Sequence, residues 1–110
     1  MLILSQRGYV KSSPPMRPLS HLPAAAQVTS VYWRITTDGA LPPGVSMMIC
    51  MPGKCLPLDG LAGRSDALAG IPADNPLVLE LNMAGGGAIV PPVMLKSYQI
   101  QVNYRTGTIR

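Results

Sequence analysis

Prolines and glycines interrupt this chain so often that a helical domain has no room to form. Twelve prolines and eleven glycines fall within 110 residues. Proline removes a backbone donor and breaks a helix interior, and glycine weakens one. Short strands joined by many turns suit such a sequence. The length is that of one domain with a modest core, and 47% hydrophobic against 13% charged residues excludes disorder for its body. Phenylalanine is absent, so the core has to be built from Leu, Val, Ile and Met around the single tryptophan, Trp33.

Period-two alternation, which puts successive side chains on opposite faces of a strand, marks the segments. Residues 1–10 can form a strand with Leu2, Leu4 and Val10 among its apolar positions. Residues 12–26, holding Pro14, Pro15, Pro18 and Pro23, read as an irregular, Pro-rich connection. Over 28–37, Val31, Trp33 and Ile35 share one face, opposite Tyr32, Arg34 and Thr36. Met47 and Ile49 alternate in the next strand, and residues 45–58 predict a hairpin around Pro52-Gly53. Residues 59–75 read as loop. Residues 77–83 carry Leu77, Leu79, Leu81 and Met83 on one side. Pro91-Pro92 bounds a short apolar segment, and the clearest strand is the last, with Tyr98, Ile100, Val102 and Tyr104 against Gln99, Gln101, Asn103 and Arg105. The expected fold is all-β: a small β-sandwich or open barrel of five to seven short, mostly antiparallel strands, one domain over 1–105, with a polar tail at 106–110. The face of Val31, Trp33 and Ile35 is expected to pack across the sandwich on Leu77, Leu79 and Leu81.

The formal charge is +4, spread along the chain rather than clustered between aromatics. This excludes a single-strand nucleic-acid groove and leaves a mild preference for anionic partners. No apolar run approaches the roughly 18 residues a bilayer-spanning helix needs, so no stable membrane insertion is expected. Met1-Leu2-Ile3-Leu4 is apolar, but Ser5-Gln6-Arg7 ends it too early for the hydrophobic core of a signal peptide. Taken alone, this suggests a cytoplasmic chain or a chain supplied without its export signal.

Few residues offer chemistry. Cys50 and Cys55 flank the hairpin turn, where opposed residues come close enough to bridge. A disulfide is the expectation. It would close a small ring worth about 2 kcal/mol and would imply an oxidising compartment. Reduced structural thiols, or half a zinc site with His21 as the one further soft ligand, are the alternatives. Met47, Met48 and Met51 around Cys50 suggest Cu(I), but methionine is also a common core filler. The acids Asp38, Asp59, Asp66, Asp74 and Glu80 sit mostly beside turn residues, and nothing marks a catalytic pair. A Ser-His-Asp set would depend on His21, and no nucleophile elbow accompanies it. Gly85-Gly86-Gly87 is followed by Ile89-Val90-Pro91-Pro92 rather than a helix, so it reads as a turn and not a phosphate loop. No catalytic residue, metal or cofactor is therefore expected. Trp33 is expected in the core. The last strand, Tyr98, Ile100, Gln101, Val102, Asn103, Tyr104 and Arg105, is the first candidate for a partner-binding edge. Proline at Gln101 is the substitution expected to remove an edge donor.

Several motifs in order resemble the flagellar FlhE family. They are Trp33-Arg34, Pro43-Gly44, the Cys50–Cys55 pair followed by Leu58-Asp59-Gly60, then Gly85-Gly86-Gly87 and a closing Gln101-Val102-Asn103-Tyr104-Arg105. The match runs over about residues 28–105, with Arg7-Gly8-Tyr9 and Ser12-Ser13 fitting the family's early part more loosely. The resemblance implies a secreted β-domain encoded beside the export-gate components. It also implies a periplasmic role in flagellar assembly, limiting proton leakage through the export apparatus or chaperoning rod subunits, with no enzymatic activity. Rod or export-gate proteins are the implied partners. Family members begin with a cleavable signal peptide, which these residues do not contain, and the tail at 106–110 runs past the family's usual end. The rival function is a periplasmic carbohydrate- or peptide-binding β-module, which would expose Trp33, Tyr9 or Tyr32.

Overall fold

The computed structural model describes residues 2–18, 22–23 and 25–106. Eight strands follow in order: β1 (Leu2–Gln6), β2 (Val10–Ser12), β3 (Ala26–Thr37), β4 (Val45–Met51), β5 (Lys54–Pro57), β6 (Ala62–Ser65), β7 (Val78–Met83) and β8 (Ala88–Thr106). They form two four-stranded sheets, ordered β1-β8-β3-β6 and β2-β7-β4-β5. Every strand pair is antiparallel. The fold is a β-sandwich, and the barrel alternative is set aside.

The strand count exceeds the expected five to seven for two reasons. The first expected strand breaks at Arg7-Gly8, where Gly8 takes φ +84° and turns the chain from one sheet into the other. Val10 is consequently exposed while Leu2 and Leu4 are buried. The stretch read as loop at 59–75 also contains β6, which adds to β3 through Tyr32↔Arg64 and Trp33↔Gly63. Its short sequence, Ala-Gly-Arg-Ser, carries no alternation that could have marked it. Within the Pro-rich stretch, Ser12 closes β2 and Ala26 opens β3, and Met16 bridges to Leu77. Thr106 belongs to β8, while the rest of the expected tail lies outside the described residues.

The last strand is longer than its alternation suggested, because β8 runs straight through Pro91-Pro92 over 19 residues. Proline is tolerated where no ladder bond needs its amide. The pairing of β1 to β8 jumps from Leu4↔Val93 to Gln6↔Ala88, so both prolines fall in the irregularity between.

The core lies between the sheets. Val31, Trp33 and Ile35 on β3, with Leu77 and β7's Leu79 and Leu81 from the other sheet, are all buried and belong to one hydrophobic cluster. Trp33, only 5% exposed, donates its indole N–H to the Gly60 carbonyl at 3.0 Å. Gly63 makes this possible, since a Cβ there would lie 2.6 Å from the indole Cζ2. Ser13, also buried, accepts the Leu79 amide at its hydroxyl, 2.9 Å away. Trp33→Ala should lose about 3–5 kcal/mol of stability, as large-to-small core changes do. Gly63→Ala should lose about 1–3 kcal/mol by overpacking the same site. Denaturant unfolding measures both, and a Gly63→Ala protein as stable as the parent would show that the strand pair does not depend on this contact.

Candidate functional site

Cys50 and Cys55 stand directly opposite in the β4–β5 hairpin, beyond which Met51 pairs with Lys54 across the Pro52-Gly53 turn. Gly53 takes the positive φ, +83°, that a proline-glycine turn requires. The sulfurs are bonded at 2.08 Å, so neither thiolate is left for zinc or copper. Met47 and Met51 are core residues, and Met48 lies on the opposite face of β4 from Met47. No cluster of three metal-ligating His, Cys, Asp or Glu side chains exists among the described residues. His21 lies outside them.

The strand expected to be an edge has a more specific geometry. One flank of β8 is paired to β3 along its second half, from Ile35↔Tyr98 through Trp33↔Ile100 and Val31↔Val102 to Val28↔Tyr104. The other flank is paired to β1 only as far as Leu2↔Leu95. No strand among the described residues lies along that flank beyond Leu95. In an antiparallel ladder, the N–H and C=O of one residue point to the same side, and successive residues point to opposite sides. Ile35 donates its amide to Leu61, towards β6. Its partner Tyr98 must therefore point its own amide and carbonyl away from β3, and so must Ile100 and Val102. The bulge between Val28 and Ser30 preserves this phase. Val28 bonds outward to Ile71 and Gly70, so Tyr104 also faces the open flank. The amides of Gln99, Gln101 and Asn103 point inward, to Arg34, Tyr32 and Ser30 on β3. The expectation for Gln101 is corrected accordingly: proline there would break the β3–β8 ladder, and Val102 is the position whose loss of N–H touches only the open flank.

Side chains follow the same alternation. Tyr98, Ile100 and Val102 are half-buried on the inner face. Ile100, Val102 and Tyr104 line an open hollow of about 270 Å³ together with the apolar Met16, Pro18, Leu22, Ala73 and Leu77 and the polar Arg17 and Asn75. At this end β7 has not yet begun, and single chain segments rather than strands face β8, which leaves these residues incompletely covered. On the outer face, Gln101 donates to Asn103, and Asn103 donates to the buried Ser30 hydroxyl, each at 3.0 Å. This polar ladder fixes the outward side chains next to the open flank. Arg105 is exposed at its far end. Arg34, Arg64, Lys96 and Arg105 are the charged residues of the four strands of this sheet, which contain no Asp or Glu. The Arg64 guanidinium lies 5.8 Å from the centre of the Tyr32 ring.

The family described as "Flagellar protein FlhE" matches residues 2–105. The chain belongs to the FlhE family. Flagellar protein FlhE of Salmonella typhimurium is 34% identical over 102 residues, covering 93% of this chain and 77% of that protein. FlhE of Escherichia coli K12 is 34% identical over 104 residues, covering 94% and 78%. FlhE of Yersinia enterocolitica is 35% identical over 102 residues, covering 92% and 73%. The fold agrees with a crystal structure of FlhE at a TM-score of 0.87 and 34% identity, over 94% of this chain and 88% of that one. In this FlhE-family chain, the phase of the open flank was the feature sequence reasoning missed. Alternation gives side-chain faces, but amide direction depends on which neighbour β3 bonds on its far side.

Two proline substitutions one residue apart should separate the flanks. Gln101→Pro should lose about 1–3 kcal/mol through the broken bond to Tyr32, whereas Val102→Pro should unfold close to the parent protein. Thermal and urea unfolding of both variants checks this. Equal losses would mean that Val102 also donates to a neighbouring strand.

Proposed function

We infer that this chain is a non-catalytic accessory protein of flagellar assembly. It acts in the periplasm by binding rod or export-gate proteins, and so limits proton leakage through the export apparatus or chaperones rod subunits. The flagellar setting follows from its family. The observation that carries the binding mode is the half-open β8, whose outward-pointing amides and carbonyls at Tyr98, Ile100, Val102 and Tyr104 can accept a strand from a partner. The Cys50–Cys55 bridge supports an oxidising compartment, where such bonds persist. The rival carbohydrate- or peptide-binding module loses Trp33, which is buried against Gly63 and bonded to Gly60, although its other two aromatics, Tyr9 and Tyr32, are exposed.

The test is capture from periplasmic extract of motile cells by the tagged protein, with mass spectrometry of what is retained. Rod or export-gate proteins should be enriched by the parent chain and reduced several-fold by Val102→Pro. Retention of no flagellar protein by the parent chain would overturn the functional reading.

A further inference from the structure

We propose that the open flank of β8 and the hollow beneath it form one site for an extended polypeptide segment with apolar residues at alternate positions and acidic residues at its ends. This deepens the protein-binding reading above and rests on it for the identity of the natural partner, but not for the chemistry of the segment.

The backbone sets the conformation. Four residues of β8, two apart, offer amides and carbonyls to the same side, which only an extended chain in register can satisfy together. The hollow sets the inward side chains. A strand added here would place alternate Cβ atoms about 4.5–5.5 Å from those of Ile100, Val102 and Tyr104. Its inward side chains would therefore border the Met16, Leu22 and Leu77 wall of the hollow. At about 270 Å³ the hollow falls just below the smallest drug-sized pockets, and its rim is open. It suits a few aliphatic side chains entering from the flank rather than a free small molecule.

Charge sets the ends and selects among occupants. Lys96 and Arg105 are exposed and bracket the open stretch, and no carboxylate lies on any strand of this sheet. An acidic residue at either end of the incoming segment meets an exposed cation. A second copy of this chain is disfavoured by the same residues. Antiparallel pairing of β8 with its own copy would bring Lys96 of each chain towards Arg105 of the other, and like charges across a ladder repel.

The probe is a short synthetic peptide with Val at alternate positions, Thr between them and Glu at both ends, with a control in which Lys replaces Glu. Binding to the full chain is followed by isothermal titration and by amide chemical shifts. The Glu peptide should bind, perturb Tyr98, Ile100, Val102 and Tyr104 first, and bind at least about fivefold more tightly than the Lys peptide, with the difference shrinking as salt is raised. Val102→Pro should abolish the shift pattern. The exposed double variant Lys96→Glu, Arg105→Glu should keep its fold and reverse the preference between the two peptides. Equal affinity of both peptides for the parent chain, unchanged preference in the double variant, or self-association through β8 in sedimentation would each overturn the proposal. If the peptides behave as expected but no flagellar protein is captured from extract, the site stands and the flagellar assignment of its partner fails. If flagellar proteins are captured equally well by Val102→Pro, the assignment stands and the site fails.

Discussion

The β3–β8 ladder is the interaction on which the rest of the structure hangs. It joins Ala26–Thr37 to the second half of β8 through eleven residue pairs, interrupted by two bulges. Because Trp33 sits in its middle opposite Ile100, the ladder also sets where the largest side chain enters the core. β6 then docks on the far side of β3, with Gly63 leaving room for the indole. β1 docks on the far side of β8, but only along its first half. The molecule is correspondingly elongated, with extents of 55 × 22 × 21 Å.

An edge left open over several residues is a liability, because unpaired backbone groups are a template for unwanted pairing. This chain limits the hazard locally. Lys96 and Arg105 bracket the stretch, and Gln99, Gln101 and Asn103 keep its outer face polar. Pro91 and Pro92 lie on the same strand, where β1 and β8 lose register. The inner face is different, since Ile100, Val102 and Tyr104 remain partly uncovered over a mostly apolar hollow, with Arg17 and Asn75 also in its wall. Polar and charged outside with apolar inside resists indiscriminate pairing while leaving room for the strand proposed above.

Much of this was legible in the sequence, for physical reasons that also explain what was not. Alternation at Val31, Trp33 and Ile35, and at Leu77, Leu79 and Leu81, reports burial directly, and these residues do face one another across the sandwich. The cysteine pair was readable because a proline-glycine turn fixes the hairpin register that opposes Cys50 to Cys55. β6 was hidden because Ala62, Gly63, Arg64 and Ser65 have no alternation, and glycine is required by a tertiary contact with Trp33. The continuity of β8 was hidden because Pro91-Pro92 reads as a strand stop, and only the pairing partner shows that no amide is needed there. The direction of each amide on β8 was beyond reach for the same reason: it is a property of the ladder and not of the strand.

Among the described residues, the second half of β8 pairs with a strand on one side only, in a fixed phase. Residue-resolved amide hydrogen exchange in the free protein tests it most directly, since exchange reads protection amide by amide. The account predicts alternation: slow exchange at Gln99, Gln101 and Asn103, and fast exchange at Tyr98, Ile100, Val102 and Tyr104. Uniformly slow exchange across these residues, or alternation in the opposite phase, would contradict it.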